Sequence, residues 1–169
     1  MEREKRLIGL YTRVYSRPIN VSLLKILGFL SVFYVVACYA TVLAGLAVGG
    51  EYRELLLLLA VSGIPFLVIS LVRHILNVQR PYEIIDFAPF EKMREKRKTG
   101  RSFPSRHVFS AFLIGTLVIA YSASLGTVAL FVGTLIAIER VLLGIHFPKD
   151  VIVGGILGII SGVIGLLFL

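Results

Sequence analysis

The sequence predicts an all-α membrane protein: a polytopic helical bundle of about five transmembrane helices with an N-terminal amphipathic interfacial helix. One observation is composition. Of the 169 residues, 57% are hydrophobic and the mean hydropathy is +0.89, far above the values of soluble domains. The other is distribution, because apolar residues fall into runs of roughly 18 or more, long enough to span a bilayer as helices. The chain is expected to form a single membrane-embedded domain, residues 1–169.

The predicted spans follow one another with short polar breaks. They cover about residues 21–48, 55–72, 108–125, 127–143 and 151–169. Gly49-Gly50 ends the first span, and Pro65 is expected to kink the second. Gly126 is expected to permit a tight reversal between the third and the fourth. The one substantial polar loop covers about residues 82–103.

Residues 1–20 precede the first span and are predicted to form the interfacial helix. Apolar side chains recur there with helical spacing, at Leu7, Ile8, Leu10, Tyr11, Val14 and Tyr15. Such a helix lies on a membrane surface with its apolar side down; a solvated, frayed terminus is the alternative. No cleavable signal pattern is apparent, so the first long apolar run is interpreted as a retained span.

The net charge of +8 comes mostly from clusters outside the spans, which indicates contact with membrane surfaces. No nucleic-acid partner is expected, because the sequence lacks basic patches interleaved with stacking aromatics. The basic segment 91–101 either contacts anionic lipids or is a solvated face. Cys38 is the only cysteine, so no internal disulfide forms. Bilayer lipids are the expected partners, and nothing in the sequence points to an obligate protein partner.

Small residues mark one face of the last predicted span. Gly154, Gly158 and Gly162 recur every four residues, and small residues at this spacing let membrane helices approach closely. Close packing within this chain is preferred to a dimer interface as the interpretation.

Three polar clusters stand at span ends: residues 73–80 after the second span, 104–107 before the third, and 139–150 between the fourth and fifth. Span ends that are two crossings apart lie on the same membrane face, so all three clusters are predicted to converge there. Arg or Lys at a span end is often only an interfacial anchor. Anchors would decorate both faces, however, and the opposite face shows little more than Glu51, Arg53 and Glu54.

The gathered side chains favour phosphate chemistry. Guanidinium groups match the geometry of phosphate oxygens, and the start of a helix at residues 104–107 offers backbone N–H groups to the same anion. Two histidines suit a two-step transfer through a covalent intermediate. The sequence has no Cys or carboxylate cluster for a metal, so arginines would neutralise the charge, and no metal or other cofactor is expected.

These motifs resemble a known signature. The pattern Arg73-x6-Arg80-Pro81, Pro104-Ser105-Arg106-His107 and Arg140-x5-His146-x3-Asp150 resembles the three-part signature of the type 2 phosphatidic acid phosphatase superfamily. That family includes membrane lipid phosphate phosphatases and vanadium-dependent haloperoxidases. The sequence departs from the family pattern in three places: Arg73 stands where Lys is usual, Arg106 where Gly is frequent, and Glu139 where Ser is usual.

The resemblance implies a role for each matching residue. His146 is the nucleophile that becomes a phosphohistidine, and Asp150 accepts a hydrogen bond from its other ring nitrogen. His107 protonates the leaving lipid oxygen and then activates water. The phosphoryl oxygens are held by Arg73, Arg80, Arg140 and the backbone around Ser105. Arg106 either anchors its helix or contacts a headgroup, and Glu139 is expected to pair with an arginine of the site.

The resemblance thus implies a metal-independent lipid phosphatase of the bacterial cell envelope. Phosphatidic acid, phosphatidylglycerophosphate, undecaprenyl diphosphate and a lipid A phosphate are all within the family's range. The alternatives are a vanadium-dependent haloperoxidase-like enzyme, which the membrane spans disfavour, and a non-catalytic lipid-binding membrane protein.

Two arguments on orientation conflict. The expected location is the bacterial cytoplasmic (inner) membrane, crossed several times. Counting basic residues places the N-terminus, the basic loop and the site on the cytoplasmic side, whereas the family resemblance favours the extracytoplasmic face. The extracytoplasmic face is the preferred interpretation.

Overall fold

The protein is a bundle of helices, seen in a computed structural model that describes residues 2–96 and 99–169, with the backbone alone for Glu2–Glu4 and Lys96. The helices of the described residues are α1 (Glu2–Tyr15), α2 (Pro18–Val48), α3 (Tyr52–Leu76), α4 (Pro81–Ile84), α5 (Ala88–Lys96), α6 (Arg106–Val118), α7 (Ala123–Leu142) and α8 (Pro148–Leu166). No strand occurs within these two described ranges, so the all-α prediction is confirmed.

Four of these helices, α2, α3, α7 and α8, are long and apolar enough to cross a membrane. Large apolar side chains cover their outer surfaces, including Phe29, Phe33, Leu67 and Phe131, which are all exposed. In water such a surface would be strongly unfavourable, whereas in a bilayer it meets lipid tails. The chain is therefore an integral membrane protein.

Helix α6 lies at the centre, packed against α2, α3, α7 and α8. It is shorter than the predicted third span, residues 108–125, because it ends at Val118. Its 13 residues rise only about 20 Å, and eight of them are buried, so its neighbours shield it from lipid. Ser122 then caps α7 by accepting a hydrogen bond from Leu125 N at 3.4 Å.

Gly126 lies inside α7 and not at the reversal that the sequence predicts. A Cβ atom there would come within 2.6 Å of Ile119 N. Glycine is needed because α7 passes closely over the end of α6. The other spans begin about three residues earlier than predicted, and two of them begin at a proline, Pro18 and Pro148, where a missing N–H costs no helical hydrogen bond.

The helices α4 and α5 were not predicted: α5 lies within the predicted polar loop 82–103, and α4 begins one residue before that loop. Their aromatic side chains pack against α1, with the Tyr11 and Phe90 ring centroids 4.9 Å apart. Tyr11 is fully buried, so part of the apolar side of α1, which was predicted to lie on the membrane surface, contacts protein. Tyr15 Oη donates a hydrogen bond to Leu143 O at 3.1 Å, which ties α1 to the end of α7. Arg97 and Lys98 of the basic segment lie outside the described residues.

The glycine-rich face of α8 packs against α6. A Cβ atom at Gly154 would meet Ser105 O at 2.6 Å, one at Gly158 would meet Phe109 O at 2.5 Å, and one at Gly162 would meet Thr116 Cβ at 2.6 Å. The prediction of close packing within the chain is confirmed. Side chains at these positions would push α8 away from α6.

We expect Gly158→Ala to lower the free energy of unfolding by about 1–3 kcal/mol, because the new methyl group overlaps a backbone carbonyl that cannot move alone. Gly155→Ala is the matched control, since its nearest neighbour would be the Phe112 ring at an ordinary 3.5 Å. Thermal unfolding in detergent measures both. Equal stability of the two variants would contradict this account of the α6–α8 contact.

Candidate active site

The three polar clusters lie on one side of the bundle, as predicted. The chain turns on the opposite side at residues 49–51 and 119–122, so the end of α3, the start of α6 and the α7–α8 connection share a face. The three clusters lie close enough for their charges to interact. The charges of Arg73 and Arg80 act on His146, and those of Arg140 and His146 act on His107. The sequence-predicted residues therefore converge on one region.

His146 and Asp150 are joined through a serine. Their nearest atoms, Nδ1 and Oδ2, are 3.6 Å apart, too far for a good direct hydrogen bond. The hydroxyl of Ser102 lies 3.3 Å from His146 Nδ1 and donates to Asp150 Oδ2 at 2.5 Å. The direct contact implied by the resemblance is thus a bridge, in which an Nδ1–H donates to Ser102 and Ser102 donates to the carboxylate.

Ser102 was not predicted from the sequence as a candidate site residue. It is fully buried, like Asp150, and His146 is 1% exposed. Asp150 Oδ2 also accepts a hydrogen bond from Phe147 N at 3.0 Å, so the carboxylate both caps α8 and faces the serine. Ser102 lies just outside the second motif, in a loop whose serines no local pattern distinguishes.

Arg73 and Arg80 hold the loop that carries Ser102. Arg73 is buried and its guanidinium donates to the carbonyl oxygens of Arg101, Ser102 and Pro104. Arg80 Nε donates to Gly100 O at 2.9 Å. Both side chains were predicted to bind phosphate. In the structure they donate hydrogen bonds to backbone carbonyl oxygens of the loop. An arginine has five N–H donors, so these contacts leave donors for a ligand.

The start of α6 is fixed against the start of α8. Ser105 N donates to Asp150 O at 2.8 Å, and the first bond within α6 runs from Phe109 N to Ser105 O. The backbone N–H groups of residues 106–108 lie at the positive end of α6, where anions bind. The buried Ser105 Oγ has no hydrogen-bond partner among the described residues.

Arg140 is paired with the glutamate before it. Arg140 Nε lies 3.1 Å from Glu139 Oε2, and Glu139 is almost fully buried. The predicted pairing of Glu139 with a site arginine is therefore present. Glu139 packs against Gly28 of α2, where an added Cβ would lie 2.7 Å from the carboxyl carbon.

His107 lines two adjoining cavities between the helices. One, of about 250 Å³, is also lined by Lys25, Glu139 and Arg140. The other, of about 220 Å³, is mostly apolar and extends along α2, α3 and α6. Arg106 lines the second, with its guanidinium carbon 5.3 Å from the Phe66 ring centre.

Burial lowers the pKa of His146 below its usual value. The charges of Arg80 and Arg73 lower it further, and Asp150 offsets part of the shift. A neutral imidazole is therefore favoured at neutral pH. With Nδ1 directed at Ser102, the other ring nitrogen, Nε2, keeps its lone pair for an electrophile.

Comparison with known proteins identifies the family. The family model described as PAP2 superfamily matches residues 51–169, a segment that contains all three motifs. This chain belongs to the PAP2 superfamily. The resemblance deduced from the motifs is thereby confirmed.

One curated relative and two solved structures are similar to this chain. The chain is 37% identical over 60 residues to the bacitracin transport permease protein BcrC of Bacillus licheniformis, a match that spans 36% of this chain and only 30% of that relative. Aquifex aeolicus LpxE has a similar fold, with TM-score 0.67, 24% identity and coverage of 94% of this chain and 93% of that one.

A second solved structure is that of a transmembrane PAP2 type phosphatidylglycerolphosphate phosphatase from Bacillus subtilis. It has TM-score 0.76 and 21% identity, and the alignment covers 99% of this chain and 84% of that one. At these identities, both structures show that the fold is shared.

We expect Ser102→Ala to lower the free energy of unfolding by about 1–3 kcal/mol, because a buried carboxylate loses an O–H donor. Ser70→Ala is the matched control, since Ser70 Oγ only donates to Phe66 O of its own helix at 2.7 Å. We expect Ser70→Ala to change the free energy of unfolding by no more than about 0.5 kcal/mol. Thermal unfolding of both variants in the same detergent is the measurement, and an equally small effect of Ser102→Ala would refute the bridge.

Proposed function

We propose that this protein is a membrane lipid phosphatase that hydrolyses a phosphomonoester or diphosphate headgroup through a phosphohistidine. One observation carries the proposal: His107 stands where a cavity with cationic side chains meets an apolar groove between membrane helices. An amphiphile fits that junction, with its phosphate among the cations and its tail along the groove. A phosphoryl group there lies on the same side of the bundle as His146.

In the proposed first step, His146 Nε2 attacks phosphorus. The bond from phosphorus to the lipid oxygen breaks. His107, which is protonated while the bound phosphate dianion offsets the charges of the nearby arginines, gives its proton to the departing oxygen. Ser102 and Asp150 hold His146 in the tautomer that presents Nε2 and stabilise the positive charge that develops on the ring. The product is a phosphohistidine and the dephosphorylated lipid.

In the proposed second step, His107 takes a proton from water as the oxygen attacks phosphorus. The bond from phosphorus to Nε2 breaks, and inorganic phosphate leaves. Arg140, the remaining donors of Arg73 and Arg80, and the backbone near Ser105 stabilise the phosphoryl oxygens in both steps. Because these groups supply the positive charge, we propose that turnover needs no metal ion. Arg106 contacts the headgroup or tail of the lipid near Phe66.

We further propose that the protein lies in the bacterial cytoplasmic membrane with its active site on the extracytoplasmic face. The test is Lys92→Cys on α5, on the active-site side, treated with a membrane-impermeant maleimide in intact cells. Arg53→Cys on the opposite side is the matched control. Labelling of Lys92→Cys alone supports the proposed orientation, and labelling of Arg53→Cys alone reverses it.

We expect the purified protein to release phosphate from at least one lipid phosphate, and His146→Asn and His107→Asn each to lose at least about 100-fold in kcat. Turnover should persist in a metal chelator. Because the proposed steps need His146 neutral and His107 protonated, kcat/KM should fall on both sides of an optimum pH. The lowered pKa of His146 places the fall on the acid side below about pH 6.5.

The measurement is phosphate release over a panel of lipid phosphates between pH 4 and 9. His74→Asn is a control, since His74 lies at the end of α3 and has no role in the proposed steps. Full activity of His146→Asn would remove the nucleophile assignment. Loss of activity in chelator, restored by Mg²⁺, would refute the metal-independent mechanism.

A further inference from the structure

A lysine from the first membrane helix enters the wall of the polar cavity beside His107. Lys25 lies roughly 10 Å into α2, which begins at Pro18. It lines the cavity of about 250 Å³ together with His107, Glu139 and Arg140. Helix α2 has 31 residues and is about 46 Å long, longer than the hydrocarbon core of a bilayer. Lys25 therefore lies near the headgroup region, where its exposed ammonium can meet an anionic group. Its place in the cavity wall distinguishes it from a lysine that only faces lipid.

The approach of α2 to the site depends on Gly28, three residues after Lys25 and therefore on the same helix face. The carboxyl group of Glu139 occupies the space that a Cβ at Gly28 would fill, at 2.7 Å. Glu139 is in turn paired with Arg140 at 3.1 Å. The absence of a Cβ at Gly28 thus lets α2 approach Glu139 of α7 closely, which brings Lys25 next to the site.

The charge of the cavity is positive. Lys25 and Arg140 supply two cations, whereas Glu139 supplies one carboxylate and already contacts Arg140. Among the described side chains, no carboxylate lies within 4 Å of the Lys25 ammonium. An anionic group in this cavity would gain a charge-assisted contact that no protein group provides.

The position of Lys25 relative to His107 indicates which part of a substrate it would meet. In the proposed mechanism, the scissile phosphate lies among the cations of this cavity, and His107 protonates its leaving oxygen. Lys25 shares the cavity wall with His107, so we place Lys25 on the leaving-group side of phosphorus. The apolar groove continues from there, since His107 and Val32 line both cavities. A group bound at Lys25 therefore lies between the scissile phosphate and the lipid tail.

We propose that Lys25 is a specificity-determining residue that binds a second anionic group of the substrate, located between the scissile phosphate and the tail. This inference rests on the proposed phosphatase function and narrows its substrate class. A lipid diphosphate offers such a group as its inner phosphate, and a phosphatidylglycerophosphate offers one as its phosphodiester. A lipid monophosphate has none.

For a diphosphate the reaction is balanced as follows. His146 Nε2 attacks the terminal phosphorus, and the bond from that phosphorus to the bridging oxygen breaks. The bridging oxygen leaves with the inner phosphate and its negative charge, which the Lys25 ammonium stabilises. Water then releases the terminal phosphate from His146. For a monophosphate the leaving group is an alcohol, and Lys25 gives no such stabilisation.

The first experiment compares Lys25→Gln with the unaltered chain on three substrates: farnesyl diphosphate, farnesyl monophosphate and phosphatidylglycerophosphate. We expect kcat/KM to fall at least about tenfold on one or both of the doubly anionic substrates, as for loss of a charged hydrogen bond, and less than about threefold on the monophosphate. Which doubly anionic substrate responds identifies the source of the second anion. Lys25→Arg should retain most of the activity.

Lys92→Gln, on the exposed surface of α5, is the matched control for loss of one positive charge. An equal fall on all three substrates, or no fall on any, overturns the role of Lys25. If the unaltered protein hydrolyses none of the lipid phosphates, the proposed function is overturned instead.

A binding measurement tests Lys25 without turnover. Inorganic pyrophosphate and orthophosphate are titrated into His146→Asn, with and without Lys25→Gln, by calorimetry. We expect Lys25→Gln to weaken pyrophosphate at least about tenfold and orthophosphate by less than about threefold. Equal affinities for pyrophosphate in the two variants, or no binding of pyrophosphate to either, would overturn the proposal.

Discussion

The site depends on the close contact of two helix beginnings. The hydrogen bond from Ser105 N to Asp150 O, 2.8 Å long, joins the start of α6 to the start of α8, and Gly154 leaves room for it because a Cβ there would meet Ser105 O. Asp150 then serves three purposes: it caps α8, accepts from Ser102, and sits near His146. Separating the two helices would therefore disrupt the second and third motifs together.

The positive charges of Arg73 and Arg80 are stabilised by backbone carbonyl groups. Arg73 and Arg80 direct donors at carbonyl oxygens of residues 100–104, so the first motif shapes the loop that precedes the second. A guanidinium suits this task because its fork can serve several carbonyls at once and still present donors elsewhere. Arg73, where lysine is usual in the family pattern, fits this use, since one ammonium group does not offer the same planar fork.

Sequence reasoning predicted what depends on local pattern. The apolar runs predicted the membrane helices, the glycine spacing predicted close packing of the last span within the chain, and counting crossings placed the three motifs on one side. It did not predict the bridge by Ser102, whose importance arises only from distances to His146 and Asp150. The proposed role of Lys25 was not predicted for the same reason, because Lys25 is far from the motifs in the sequence and lies beside them only once α2 has packed against α7.

Helix lengths are a second feature that the sequence did not predict fully. Apolar length predicted residues 108–125 for the third span, yet α6 ends at Val118 because its neighbours enclose it and it need not itself match the bilayer thickness. Likewise, the aromatic residues of the loop 82–103 pack with Tyr11 of α1. Polar composition alone gives no sign of such a distant partner.

The central claim is that His146 carries the phosphoryl group between the two steps. Rapid quenching of the protein during turnover of a lipid phosphate with labelled phosphorus tests it most directly. The account predicts a label bound to His146 that survives base and is lost in acid, and that is absent from His146→Asn. Turnover by the unaltered protein with no such adduct, or an adduct on another residue, would contradict it.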